Sequence, residues 1–208
     1  LDMGSGKGYL TFAAYDYFKN TKQIDITMIG IDTKRELTEL CNDIAKSCEF
    51  EKLSFVNGTI DDFRPEDIDI LIALHACNTA TDDAIFKGIQ AKADLIVVAP
   101  CCHQEIRPQM KAPKMFKNIF KHGIMLEREA ESITDGLRAL LLEKSGYSTR
   151  VFEFISTEHT PKNNMIVGTR QNSEIDRAEV TTQIKAIKDF YGLDSHHLES
   201  LLNNASTN

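Results

Sequence analysis

Asp2, Gly4, Gly6 and Gly8 alternate with Met3, Ser5 and Lys7 at the start of the chain. Glycines spaced this closely let backbone N–H groups approach a ligand. The spacing decides which ligand. A dinucleotide turn, G-x-G-x-x-G, needs glycine at position 9, where Tyr9 stands. A Walker phosphate loop needs Ser or Thr after its Gly-Lys pair, and Gly8 follows Lys7. What remains is Asp2-x-Gly4-x-Gly6-x-Gly8. A carboxylate two residues before the first glycine repels a pyrophosphate and suits a cationic amino group, by a charge-assisted hydrogen bond. S-adenosylmethionine presents an amino group and a sulfonium. Asp2, Gly4, Ser5, Gly6, Lys7 and Gly8 are therefore the expected cradle for its methionine part.

A second acid supports this reading. Asp32 closes the apolar run Met28-Ile29-Gly30-Ile31. At the carboxyl end of a second strand, a carboxylate accepts both hydroxyls of a ribose. Asp32, with Thr33 beside it, is the expected ribose site. Thr59, Ile60 and Asp61 follow the third apolar run and are the expected adenine contacts. The plain alternatives are a tight turn, a strand-end acid and a surface loop. The agreement of the turn with Asp32 favours the cofactor reading.

His75 and Cys77 follow the fourth apolar run, and Cys101, Cys102 and His103 follow the fifth. In a doubly wound sheet these ends are neighbours on the ligand crevice. Three chemical readings compete. The groups line an acceptor pocket, where an imidazole orients the acceptor or takes its proton. They bind zinc, which suits thiolates and imidazoles. Or Cys101 or Cys102 attacks the acceptor as a nucleophile. The bland reading is that buried cysteine is a small apolar side chain. The pocket reading is preferred, with His75, Cys77, Cys101, Cys102 and His103 as the acceptor rim and no metal assigned.

These groups must be positioned by strands and helices. Residues 1–3, 24–31, 53–56, 68–74, 95–99, 151–155 and 165–169 read as strands. Residues 8–20, 34–48, 126–144 and 174–203 read as helices. In the first of these, Leu10, Ala13, Ala14 and Tyr17 share a face. Thr81 reads as an N-cap, with Asp82 and Asp83 in the first turn. Strands alternating with helices predict an α/β fold. The expected form is a Rossmann-like, doubly wound, mostly parallel sheet of seven strands with an antiparallel terminal strand. Residues 1–170 are the expected domain and 171–208 a helical extension. A strand takes about five residues, and only three precede the turn, so further residues are expected upstream.

Composition sets the outer limits. Of the 208 residues, 42% are hydrophobic and 26% charged, the balance of a water-soluble domain. No apolar run reaches membrane-spanning length, and no secretory signal is visible. An odd cysteine count, five, argues against a disulfide framework and for a reducing cytoplasm. The net charge of −7 argues against a broadly nucleic-acid-coating surface. Residues 107–122 run against that charge. They hold Arg107, Lys111, Lys114, Lys117 and Lys121 and no acid. Residues 109–122 read as helical, with Pro113 either near the start or as an interruption. The charges over 107–121 recur every three or four residues, so on a helix they would share one face, either simply solvated or contacting RNA phosphates.

With these motifs in place, the chain resembles a methyltransferase-domain family. That family includes bacterial proteins, eukaryotic methyltransferase-like proteins and the glutathione-transferase-C-terminal-domain-containing protein. The resemblance runs through Asp2–Leu10, Gly30–Asp32, His75–Asp82, Pro100–His103 and Thr160–Ile166, and covers residues 1 to about 170. Where the relatives commonly carry Asp after His-Ala-Cys, this chain has Asn78. The resemblance implies a class I fold and S-adenosylmethionine as methyl donor. It supplies no acceptor; RNA is the leading expectation. The alternative is a non-catalytic Rossmann-like domain that binds RNA or a protein partner.

Overall fold

The structure is a computed structural model that describes residues 1–60, 67–74, 76, 78–101, 103–154, 163–171 and 176–205. Its strands are β1 (Asp2–Met3), β2 (Met28–Asp32), β3 (Leu53–Asn57), β4 (Ile70–Ala73), β5 (Leu95–Val98), β6 (Tyr147–Glu153) and β7 (Asn164–Arg170). The helices are α1 (Tyr9–Asp16), α2 (Arg35–Ser47), α3 (Thr79–Gln90), α4 (Lys117–Phe120), α5 (Gly123–Lys144), α6 (Arg177–Tyr191) and α7 (His197–Ala205). The strands form one sheet in the order β3-β2-β1-β4-β5-β7-β6. Pairs among β1 to β5 are parallel, and β7 runs antiparallel to both β5 and β6. This is the Rossmann-like arrangement expected from the sequence.

The strand order reverses between β1 and β4, and ligands of such sheets bind outside the carboxyl ends at that switch point. The register aligns those ends. Met3 lies beside Ile31, Asp32 beside Asn57, and Ala73 beside Val98. The glycine turn, Asp32, the loop after β3 and the loops after β4 and β5 therefore share one edge of the sheet.

Apolar burial holds that edge in place. Leu71 and Ala73 enter a large cluster with Ile85, Ile96, Val98, Leu137, Leu141 and Ile166. Ile72, between them, packs against a smaller cluster of Tyr15, Met28, Cys41, Leu53 and Phe55. Successive strand residues point to opposite faces, so the two clusters cover the two faces of the sheet. Each fully buried Leu or Ile stabilises the fold by about 1.5–3 kcal/mol. The C-terminal helices add Val180, Ile184, Tyr191 and Leu198 to the large cluster.

Several elements differ from the sequence expectation. The helix expected over 8–20 ends at Asp16 and widens into a π turn over Tyr17–Thr21. Its buried positions are Thr11 and Tyr15, whereas Leu10 and Tyr17 are exposed. The polar Thr11 faces inward because Asp2 accepts its hydroxyl proton. The second strand begins at Met28, not 24, and Ile24 is half exposed. The sixth begins at Tyr147, immediately after the turn at Gly146 (φ 98°). Thr81 is not a cap. Asn78 precedes α3, and the Thr81 hydroxyl donates to the Ala76 carbonyl (2.5 Å). The helix expected over 109–122 is broken. Pro113 stands before a 3-10 turn at Lys114–Phe116, which leads into the four residues of α4. The pattern over 174–203 divides into α6 and α7 at Gly192, whose φ of 63° ends the first helix.

Candidate cofactor site and acceptor rim

The turn between β1 and α1 depends on its glycines. Gly4, Gly6 and Gly8 have φ of 80°, 54° and 71°, a region that other residues enter at a cost. The turn is anchored from β2. The amides of Gly4 and Ser5 donate to the Ile31 carbonyl, each at 2.9 Å. The Gly6 amide donates to Asp32 Oδ2 (2.9 Å), and the Lys34 amide donates to Asp32 Oδ1 (2.9 Å). A carboxylate offers about four acceptor positions, so Asp32 keeps capacity for a diol. Phe55 fills the space under the turn. A Cβ on Gly30 would lie 2.5 Å from its ring, which is why β2 carries glycine there.

Asp2 is buried, and its Oδ2 accepts from Thr11 Oγ1 at 2.6 Å. It lines a cavity of about 230 Å³ with Ser5, Lys7, Tyr9, Leu10 and Leu74. The cavity thus has an acid, a hydroxyl and a base among its lining residues, with Tyr9, Leu10 and Leu74 supplying apolar surface. That donor set suits a zwitterionic amino acid attached to a less polar body. A larger hollow, about 360 Å³, is lined by Tyr15, Lys19, Asp25 and Lys52. It lies at the amino ends of β2 and β3, away from the switch point, and has no part in this site.

The loop after β3 is tied to the loop after β2. The Asn57 side-chain amide donates to the carbonyls of Asp32 (3.1 Å) and Thr33 (2.9 Å), and the Gly58 amide donates to Asp32 (3.1 Å). Thr59 and Ile60 follow, with Thr59 exposed at the same edge as Thr33. Asp61 lies outside the described residues. The predicted cofactor residues that are described therefore gather along β1, β2 and β3.

On the acceptor side, His75, Cys77 and Cys102 lie outside the described residues. Cys101 is partly buried. His103 is turned inward. Its ring is buried, and Nε2 lies 3.0 Å from Asp135 Oδ1 on α5. Its Nδ1 lies 3.9 Å from Glu131 Oε1 and has no hydrogen-bond partner. Among the described residues no group of three or more His, Cys, Asp or Glu side chains could hold a metal ion.

Sequence reasoning missed the residues that surround His103. Arg138 of α5 is buried. Its Nε and Nη2 donate to the two oxygens of Asp82 (2.9 and 2.8 Å), and Nη2 also donates to the Asn78 carbonyl (3.1 Å). Its Nη1 reaches Asp135 Oδ1 at 3.3 Å. Asn164 Nδ2 donates to Asp135 Oδ2 (3.1 Å). Burial works against the Arg138 charge, but Asp82 and then Asp135 outweigh it and hold the guanidinium above its ordinary pKa. One sequence signal pointed here. Arg138 stands in the apolar stripe of α5, between Ala130, Thr134, Leu137 and Leu141.

The basic segment changes character in three dimensions. Arg107 pairs with Glu127 (2.9 Å), and Lys111 lays its aliphatic stem against Gly192. Lys114, Lys117 and Lys121 are exposed, beside exposed Met115 and Ile119. Among the described residues no helix is long and apolar enough to cross a membrane.

Comparison with known proteins agrees with this geometry. The chain is 34% identical over 121 residues to the human glutathione S-transferase C-terminal domain-containing protein, covering 47% of this chain and 19% of that protein. The homologue from Xenopus laevis is 26% identical over 165 residues, covering 68% of this chain and 27% of that protein. The match thus spans less than a third of either relative's length. Among solved structures, geranyl diphosphate methyltransferase in complex with GPP and sinefungin superposes with a TM-score of 0.51 at 10% identity. That superposition covers 82% of this chain and 70% of that one. A second structure of the same protein, in complex with SAM, gives 0.50 over 82% and 77% of the two chains, also at 10% identity. The family described as Methyltransferase domain matches residues 1–109. The chain belongs to this methyltransferase-domain family.

Proposed function

We propose that the chain transfers a methyl group from S-adenosylmethionine to RNA. The observation that carries the donor half is the turn from Gly4 to Gly8. Its three left-handed glycines are clasped by Asp32 and open onto a cavity between Asp2 and Leu74. In that cavity Asp2 would meet the amino group and Lys7 the carboxylate of the methionine part, by charge-assisted contacts. Asp32 would take the ribose hydroxyls, and Thr59 and Ile60 would flank the adenine.

The bound donor supplies a sulfonium that gives up its methyl carbon to an attacking acceptor atom. Transfer would break the S–CH3 bond as the bond from acceptor to carbon forms, with the acceptor's proton leaving to solvent. The chain's own contribution is to hold donor and acceptor in line. Positioning of this kind is worth about 7–11 kcal/mol of barrier in well-oriented systems.

RNA is favoured as acceptor by Lys114, Lys117 and Lys121. These three exposed cations lie in a stretch free of acids within a chain of net charge −7. They follow the loop after β5 in the chain. Phosphate contacts of this sort weaken steeply with salt. The test is transfer of labelled methyl groups into separated RNA, protein and small-molecule fractions. Label in RNA that falls as salt rises supports the proposal. Label confined to protein or small molecules overturns the RNA half.

A further inference from the structure

Two loops reach the acceptor rim, one after β4 and one after β5, and a single pair of side chains on α5 holds both. Arg138 grips the first loop at the Asn78 carbonyl and at Asp82, in the first turn of α3. Asp135 grips the second at His103. The two are joined through Arg138 Nη1 and Asp135 Oδ1, three residues apart on one helix face. Asn164 adds the start of β7 to the same carboxylate.

We infer that Asp135 and Arg138 are positioning residues that lock the loops after β4 and β5 into one acceptor-binding unit. The inference rests on the methyl-transfer reading above and names the residues that set its acceptor geometry.

Three observations support it. First, Asn78 is held at φ 55° and ψ −125°, a strained conformation for any residue but glycine. Strain persists only where surrounding contacts over-determine it, and the Arg138 guanidinium on the Asn78 carbonyl is such a contact. Second, the ion pair is a costly way to fill a core. Arg138 and Asp82 are 1% and 0% exposed, and apolar groups of similar volume are often equally or more stable there. What the pair adds over apolar packing is direction: a planar fork that fixes Asp82 and Asn78 at once. Third, Asp135 fixes the His103 ring. With Asp135 as acceptor, neutral His103 carries its proton on Nε2, and Nδ1 keeps its lone pair.

The test compares the parent with the double variant Asp82→Leu/Arg138→Met and with the single variant Arg138→Lys. Relaxation-dispersion NMR is recorded on the loop amides, with the imidazole nitrogen spectrum of His103. Coupling predicts that the double variant introduces microsecond-to-millisecond exchange in both loops and broadens the His103 signals, His103 being bonded to Asp135 and not to either altered residue. The turn from Gly4 to Gly8 stays quiet. S-adenosylhomocysteine affinity stays within about twofold while kcat for methyl transfer falls about 100-fold, the scale of an ångström-sized misplacement. Arg138→Lys keeps the charge but not the fork, and is expected to mobilise the same two loops; if the double variant fails to fold, this variant decides. Exchange confined to the loop after β4, or a folded variant with quiet loops and parental kcat, overturns the inference. A parent that binds the cofactor product but transfers no methyl group overturns the transfer reading instead, and the NMR result still decides the coupling.

Discussion

At the scale of single residues, the site is built from backbone geometry that only certain residue types permit. Gly30 is the clearest case. A Cβ there would lie 2.5 Å from the Phe55 ring and 3.0 Å from Ser5 Oγ. Overpacking of this kind costs about 1–3 kcal/mol. Gly30→Ala should therefore lower the melting temperature by several degrees and weaken S-adenosylhomocysteine binding, because Ser5 belongs to the cofactor turn. Differential scanning calorimetry and titration calorimetry check the two halves. Asp2→Asn keeps the shape and the Thr11 contact but removes the negative charge proposed to meet the donor's amino group. It should weaken the same ligand by about 10-fold or more, the worth of a charge-assisted bond, with little change in stability. Unchanged affinity would remove Asp2 from the site. These residues were legible in the sequence because the turn is local: seven consecutive positions set it, and Asp32 reaches it from the next strand in register.

At the scale of elements, α5 bears on the site more than its sequence suggested. Read as a pattern, residues 126–144 are an amphipathic helix and Arg138 is one of its charges. In the structure Arg138 is buried against Asp82, 56 positions away, and Asp135 against His103, 32 positions away. No local signal pairs residues at that separation; the fold must bring α3, α5 and the loop after β5 together first. The basic segment failed in the opposite sense. Helical spacing placed five cations on one face, but Pro113 interrupts the helix and two of the five are engaged within the chain. Arg138→Met alone leaves Asp82 buried without its counter-charge. Breaking a buried pair from one side costs about 3–5 kcal/mol, so this variant should melt far below the parent. Restoring neutrality with Asp82→Leu should recover much of the loss. A double variant no more stable than the single one would show that the charge imbalance is not the cause.

At the scale of the whole molecule, the C-terminal helices are part of the same core as the sheet. Their polar contacts tie them to α3, to α5 and to each other as well. His197 meets Asp83 of α3 at 2.7 Å, Lys188 pairs with Glu199, and Tyr191 donates to Glu129 of α5. His196 is buried with neither ring nitrogen hydrogen-bonded, and burial pushes its pKa down to about 4. The sign of its effect on stability follows from linkage. Between about 6.5 and about 4 the unfolded chain binds a proton at this histidine and the folded chain does not, so stability falls as pH falls through that window. Replacing His196 with Phe should flatten the dependence of melting temperature on pH between those values. An unchanged slope would assign the acid sensitivity elsewhere. The seven strands, their mostly parallel pairing and the antiparallel terminal strand were legible from alternating patterns; their order in the sheet was not. The docking of α6 and α7 was not, because their apolar positions are sparse and the chain turns at Gly192.

The glycine turn, braced by Asp32, is the proposed binding site of S-adenosylmethionine. Titration calorimetry with S-adenosylhomocysteine on the parent and on Asp32→Ala tests it most directly. One binding site per chain is expected in the parent and a loss of at least about 10-fold in affinity in the variant, since both the Gly6 brace and the proposed ribose acceptor disappear. No detectable binding to the folded parent at millimolar ligand, or equal affinity in the two proteins, would contradict it.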